Sequence, residues 1–376
     1  MEKTLQKATL FLFVKGIAHN HVEQLVVDAQ LAASLDTLER IRPIPEFGEL
    51  IVATANNEFA ARAAALGARI EIDPPGIDFH WGKRIAALIS KYAAEVPCYI
   101  GGGSGVLMKT EDWRAVAQRV LQQSNCVVTN NYFSCDFAAW SPGNALRTIE
   151  PPEIDNDLAY RLGERAGLQV VALPKNAATQ LDIDTPTDVM TLSFHPAIGE
   201  NMRGLIRRTN LDLTRAEEIK VFLGNRGATL LIAGRVSASM ALVLERATRC
   251  QWRILSEERG MRASGRAARG EARSLLGLYL ERFGADAFFA MLSDLADAAI
   301  VDSRVLFAHQ HLDPSADDRF KSDLLDAASI SNPQVREFTL AARAAKIPVL
   351  LGGHSLVSGG MYALVEAANA PGQINY

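Results

Sequence analysis

The chain has few cysteines, only four in 376 residues, and Cys98, Cys126, Cys135 and Cys250 form no C-x-x-C pair. That excludes a disulfide framework and a zinc ribbon, and the thiols are expected to be reduced ones of a cytoplasmic protein. No apolar run approaches the ~18–20 residues of a membrane span. The opening Met-Glu-Lys-Thr-Leu-Gln-Lys lacks the pattern of a secretion signal, so no membrane partner is expected. Basic excess is also missing: 39 Lys and Arg stand against 43 Asp and Glu, a formal net charge of −4. A general nucleic-acid partner usually demands the opposite balance. No internal repeat and no low-complexity tract occurs.

What is present is an ordinary globular composition, 48% apolar and 22% charged. The length suits two domains with large cores that need no cross-link to fold. Short apolar runs alternate with helical periodicity, which points to an α/β fold with a largely parallel sheet. Strands are expected over 8–14, 49–53, 68–72, 96–100, 126–129 and 169–173, and helices over 22–41, 59–66, 81–94, 113–123 and 156–166. Asp73-Pro74-Pro75-Gly76 reads as a turn. Asp184-Thr185-Pro186-Thr187-Asp188 opens a helix ending near Ser193, and 195–199 reads as a linker between domains 1–198 and 199–376. Further strands are expected near 229–233, 251–255, 299–307 and 348–351.

Several segments of the first half would land at strand ends, where loops after parallel strands present N–H groups to phosphates. Their order resembles that of 2-phospho-L-lactate guanylyltransferase and molybdenum-cofactor guanylyltransferase, in the GT-A-like nucleotide-diphospho-sugar transferase superfamily. The matching segments are Val14-Lys15-Gly16, the strand 67–73, Gly101-Gly102-Gly103-Ser104-Gly105-Val106-Leu107-Met108 against G-G-D-x-P-L-L, Gly143-Asn144-Ala145-Leu146 against T-N-A-L, and Leu181-Asp182-Ile183-Asp184-Thr185-Pro186-Thr187-Asp188 against D-I-D-T-P-x-D-L. The resemblance covers about residues 8–192, and its last motif is the most specific.

The resemblance implies a GT-A-like, mostly parallel sheet domain followed by a second α/β domain. It implies an NTP and Mg²⁺ as cofactors and a small phosphorylated molecule as partner; a homo-oligomer is compatible with it. Lys15 would hold phosphate, Gly101, Gly102, Gly103, Ser104 and Asn144 would line the nucleotide pocket, and Asp182 and Asp184 would be catalytic and hold the metal. The chain also departs from the pattern: the family's acid falls on Gly103 and its proline on Gly105.

Plainer roles compete for the same residues. Asp184 and Asp188 suit the cap of a helix that begins at Pro186. The glycines of 101–105 suit a tight turn, although four in five residues favour a backbone close to a ligand.

Past residue 202 only local chemistry speaks. Gly352-Gly353-His354-Ser355-Leu356-Val357-Ser358-Gly359-Gly360 follows an apolar strand and precedes a helix. Such a loop can aim N–H groups at an anion. Gly353, His354, Ser355 and Ser358 are its candidates, joined by Arg262 and Arg266 from a basic loop, 259–269, expected to order only around a ligand. His309 and His311 share a metal-ligand spacing but are better read as structural. Two functions therefore stay open: an NTP-dependent nucleotidyltransferase acting on a small phosphorylated acceptor, and a catalytically degenerate nucleotide-binding sensor or scaffold. A metal-dependent glycosyltransferase fits Asp182-Ile183-Asp184 less well, because that motif lies late in the domain.

Overall fold

A computed structural model describes residues 6–73 and 79–370; the turn read at 74–76 lies outside them. The chain forms two compact units. The first comprises Met1–Ile17, Val27–Asp182 and Gly199–Leu205, the second Ala18–Val26, Ile183–Ile198 and Ile206–Tyr376. The units thus interleave along the chain where a single division at 198 was expected. No helix of the described residues is long and apolar enough to cross a membrane.

The first unit is built on seven strands: β1 (Ala8–Val14), β2 (Phe47–Thr54), β3 (Arg69–Ile72), β4 (Pro97–Gly101), β5 (Cys126–Thr129), β6 (Phe137–Ser141) and β7 (Gln169–Ala172). Their order is β3-β2-β1-β4-β6-β5-β7. All pairings are parallel except those of β6, which runs against both β4 and β5. Side chains alternate between the two faces, and both faces are buried. Leu10, Leu12 and Val14 pack with Val52, Ile100 and Trp113 on one face; Phe11 and Phe13 pack with Ile51, Trp81 and Tyr99 on the other. Burial on both faces is why β1 reads as an unbroken apolar run. Helix starts are capped as the side chains allow: Asn56 Oδ1 accepts the Phe59 N–H at 2.9 Å, and Asp112 accepts the Lys109 N–H at 2.8 Å.

The second unit carries four parallel strands: β8 (Thr229–Gly234), β9 (Gln251–Ser256), β10 (Ala298–Asp302) and β11 (Val349–Gly352), in the order β11-β10-β8-β9. Its core joins Leu231, Ala299, Val301 and Leu351 to Phe288, Phe289 and Phe338 of the covering helices. The strand expected over 299–307 stops at Asp302, and a helix, Ser303–His309, takes over. A continuous apolar run does not distinguish a buried strand from a buried helix. Residues 356–360 form a wide π-type turn leading into the helix Met361–Ala368.

Candidate functional site

In an open parallel sheet, ligands sit outside the carboxyl ends of the strands, where the strand order reverses. In the first unit that point lies between β1 and β4. Successive connections run outward from β1 to β2 and β3, then return to β4 on β1's other side. Lys15, exposed, follows β1, and the glycine turn follows β4. Beside the turn stand two acids that the sequence did not single out. Asp155 accepts a 2.5 Å hydrogen bond from the buried Tyr99 hydroxyl, and its Oδ2 lies 3.6 Å from where a Cβ on Gly101 would be. Asp136 Oδ2 accepts from Asn130 Nδ2 at 2.7 Å, while Asn130 Oδ1 receives the Asp136 N–H at 3.0 Å. Burial, followed by Asp155, raises the Tyr99 hydroxyl well above its ordinary range, so it stays a donor.

The turn is closed on its own protein. The Gly101 N–H donates to the Asp136 carbonyl at 2.9 Å, and the Gly102 N–H to the Phe13 carbonyl at 2.7 Å. Ser104, buried, donates its hydroxyl to the Gly101 and Asp136 carbonyls at 2.8 and 3.1 Å. A Cβ on Gly102 would meet Val14 Cβ at 2.6 Å, and one on Gly105 would meet Trp113 Cζ2 at 2.6 Å. Internal hydrogen bonds and packing therefore account for the positions of Gly101, Gly102 and Ser104. Gly103 has φ 109, a conformation that L side chains rarely adopt.

Asn144 does not join this group. It follows β6, and because β6 is antiparallel to β4 it lies at the amino end of β4, where the Gly143 N–H donates to the Glu95 carbonyl at 2.7 Å. The glycine turn is at the opposite end of the same strand.

Asp182 is the last residue of a segment of the first unit, and Asp184 belongs to the second. Burial raises the Asp184 carboxyl above its ordinary range, and the fields of Arg262, Arg235 and Arg304 oppose that rise. These three guanidinium groups compete with a cation for the Asp184 carboxylate. Among the described residues, no group of three or more His, Cys, Asp or Glu is placed to hold a metal ion. Asp188 takes the capping role: its Oδ2 accepts from the Asp184 N–H at 3.1 Å, the Thr185 N–H at 2.7 Å and the Thr185 hydroxyl at 2.9 Å. Burial, then repulsion by Asp184, pushes its carboxyl up to about 7, and Oδ1 is buried with no hydrogen-bond partner among the described residues.

The second unit gathers more charge at its own switch point, between β8 and β10. Arg235, directly after β8, grips Asp302, the last residue of β10, with Nε–Oδ2 at 2.6 Å and Nη2–Oδ1 at 3.0 Å. Asp302 is fully buried, and Gly234 permits the approach: its φ is 115, and a Cβ there would fall 2.4 Å from Asp302 Cβ. Burial alone would raise Asp302, but Arg235 more than compensates and leaves it below its ordinary value. A second fork joins Arg304 to buried Asp323 at 2.5 and 2.6 Å. Arg259 donates to the Arg235 carbonyl at 3.1 Å. His354, half-buried, is lowered to about 4 by burial and then by Arg235.

Of the residues expected here, His354 and Arg262 belong to this cluster, and Gly353 adjoins Arg304, whose Nε would lie 4.0 Å from a Cβ on it. Ser358 turns inward, its hydroxyl donating to the His354 and Ser355 carbonyls at 2.8 and 3.3 Å; Ser355 is buried beside it. Arg266 pairs with Glu258 at 2.9 Å and donates to the Glu271 carbonyl at 3.0 Å. The loop expected to order only around a ligand is closed by its own ion pairs, including Arg269–Glu271. His309 is structural: it is buried, and its Nδ1 accepts the Ser274 N–H at 3.2 Å.

No family model matches the chain, and no curated protein matches it. Solved structures do. A cytidylyltransferase from Leptospira borgpetersenii serovar Hardjo-bovis is 14% identical over 54% of this chain and 92% of its own, with a TM-score of 0.39. A protein from Desulfovibrio desulfuricans, named as a nucleotide-diphospho-sugar transferase, is 13% identical over 54% of this chain and 94% of its own, with a TM-score of 0.40. CMP:2-keto-3-deoxy-manno-octonic acid synthetase, solved with CTP, is 12% identical over 45% and 89%, with a TM-score of 0.33.

Proposed function

We propose that the first unit is an NTP-dependent nucleotidyltransferase that moves a nucleoside monophosphate onto a small phosphorylated acceptor. The observation that carries this reading is the reversal of strand order between β1 and β4, with exposed Lys15 on one side and a glycine turn on the other. A lysine at that point supplies charge to a triphosphate, and in-line attack at phosphorus depends chiefly on such positioning and charge. Any Mg²⁺ would arrive with the NTP as part of the substrate, since this ion is commonly held by one or two carboxylates and by phosphate oxygens. Asp182 is the carboxylate proposed to meet it.

The second reading, a nucleotide-binding protein without catalysis, is favoured by Gly103, which stands where the resembled family has an acid and has a backbone conformation that would strain one. Calorimetric titration with each of the four NTPs, with and without Mg²⁺, followed by pyrophosphate release with 2-phospho-L-lactate as first acceptor, separates the readings. Binding with release supports the enzyme, and binding without release with any phosphorylated acceptor supports the degenerate form. Failure to bind any NTP overturns both.

A further inference from the structure

We propose that the carboxyl end of the second sheet binds the phosphoryl group of a small molecule, with Arg235, Arg259, Arg262 and His354 as its ligands. The inference stands on the second unit alone and does not depend on nucleotidyl transfer by the first.

Topology selects the place. From β8 the chain passes to β9 on one side, then crosses back to β10 on the other, so the crevice outside β8 and β10 is this sheet's switch point. Both flanking positions are charged, Arg235 after β8 and Asp302 ending β10.

Charge selects the ligand. Arg235 and Arg304 are each held in a two-pronged grip by a buried aspartate, which fixes their guanidinium planes without using every N–H. Arg259 and Arg262 come from a different segment, the loop after β9. Arg259 spends one N–H on the Arg235 carbonyl; the Arg262 carbonyl accepts the Gly265 N–H at 2.9 Å, while its guanidinium is in no ion pair or hydrogen bond among the described residues. Arg235 lowers both Arg259 and Arg262, after burial in each case, as like charges do when crowded. The acids that face Arg262 are Asp184 and Asp302, and Asp302 is already taken by Arg235. An assembly of like charges with too few acids is stabilised by an anion.

Geometry narrows the anion's class. A carboxylate is planar and is satisfied by one fork, whereas a phosphoryl group presents three oxygens in different directions. Donors here arrive from the end of β8, from the loop after β9 and from the turn after β11. That turn contributes His354, whose ring nitrogens have no hydrogen-bond partner among the described residues. Burial and Arg235 keep this ring neutral at pH 7, so it can donate one N–H without adding to the crowded charge.

The test is calorimetric titration of the full chain at pH 7.5 and constant ionic strength, using inorganic phosphate and glycerol 3-phosphate as probes. Saturable binding of either is expected, weakened at least about tenfold in Arg262→Ala and in His354→Ala. Arg266→Ala, whose arginine is engaged with Glu258, is expected to bind as wild type does. Tighter binding of the ester than of phosphate identifies an esterified ligand, and equal binding identifies the free anion; both support the site. No saturable binding by wild type overturns it, as does equal weakening by Arg266→Ala and Arg262→Ala. Urea unfolding of each variant separates loss of ligand contact from loss of fold.

Discussion

Arg235 closes on Asp302 across the ends of two neighbouring parallel strands, with both oxygens of a fully buried carboxylate taken by one guanidinium. Removing one partner of such a pair strands a charge away from water, which costs about 3–5 kcal/mol, whereas replacing both with apolar groups of similar volume is often close to neutral. Arg235→Ala is therefore expected to be far more destabilising than Arg235→Met combined with Asp302→Leu. Urea denaturation reads the difference, and a single variant no worse than the double would show that the pair is not a structural tie.

Stability should depend on pH in two opposing ways. His354 titrates at about 4 in the fold against an ordinary 6.5. Between those values the unfolded chain binds the extra proton, so this contribution is present above about 6.5 and lost as pH falls toward 4. Asp188 titrates at about 7 against 3.8. The folded chain holds the extra proton, so its contribution is present below about 4 and lost as pH rises through 7. His354→Gln is expected to remove the acid-side loss and Asp188→Asn the neutral-side loss. Urea midpoints measured from pH 4.5 to 8 would reject the assignment if both variants tracked the wild-type curve.

Introducing an acid at Gly103 is not expected to improve the site. With φ at 109, an aspartate must either shift the turn or accept strain of about 1–3 kcal/mol. Gly103→Asp should lower the thermal midpoint without tightening Mg·NTP binding. Tighter binding at unchanged stability would mean that the turn rearranges freely.

Lys15 and Asn144 should behave oppositely toward nucleotide. Lys15 stands at the carboxyl edge of the first sheet and Asn144 past the other edge. Lys15→Ala is expected to weaken NTP binding about tenfold or more, and Asn144→Ala to leave it unchanged, both by calorimetry. An effect at Asn144 as large as at Lys15 would place the nucleotide elsewhere.

Much of the first sheet could be read along the chain, because strands buried on both faces leave unbroken apolar runs such as Ala8–Val14. What escaped was direction. Phe137–Ser141 returns antiparallel after a hairpin closed by Asn130 and Asp136, and that reversal carries Asn144 to the end of the sheet opposite the glycine turn. Motif order along a chain carries no information about which edge a loop reaches. In the second unit, Arg235 and Asp302 each follow an apolar run singly, as ordinary solvated strand ends do, so their pairing was hidden until the strands were set side by side. Arg262 and Arg266 are equivalent by composition, and only Glu258 distinguishes them by engaging the latter.

The return of residues 199–205 to the first unit restricts how this protein could have been assembled or can be taken apart. Asp36, buried, accepts the Asn201 N–H and Nδ2 at 2.9 Å and the Met202 N–H at 3.0 Å. A cut at 198 removes every one of those donors and leaves a bare carboxylate inside the first unit. The same cut takes from the second unit Thr187, whose hydroxyl donates to the Leu351 carbonyl at 2.6 Å. Separating the halves at this one position is therefore expected to destabilise both.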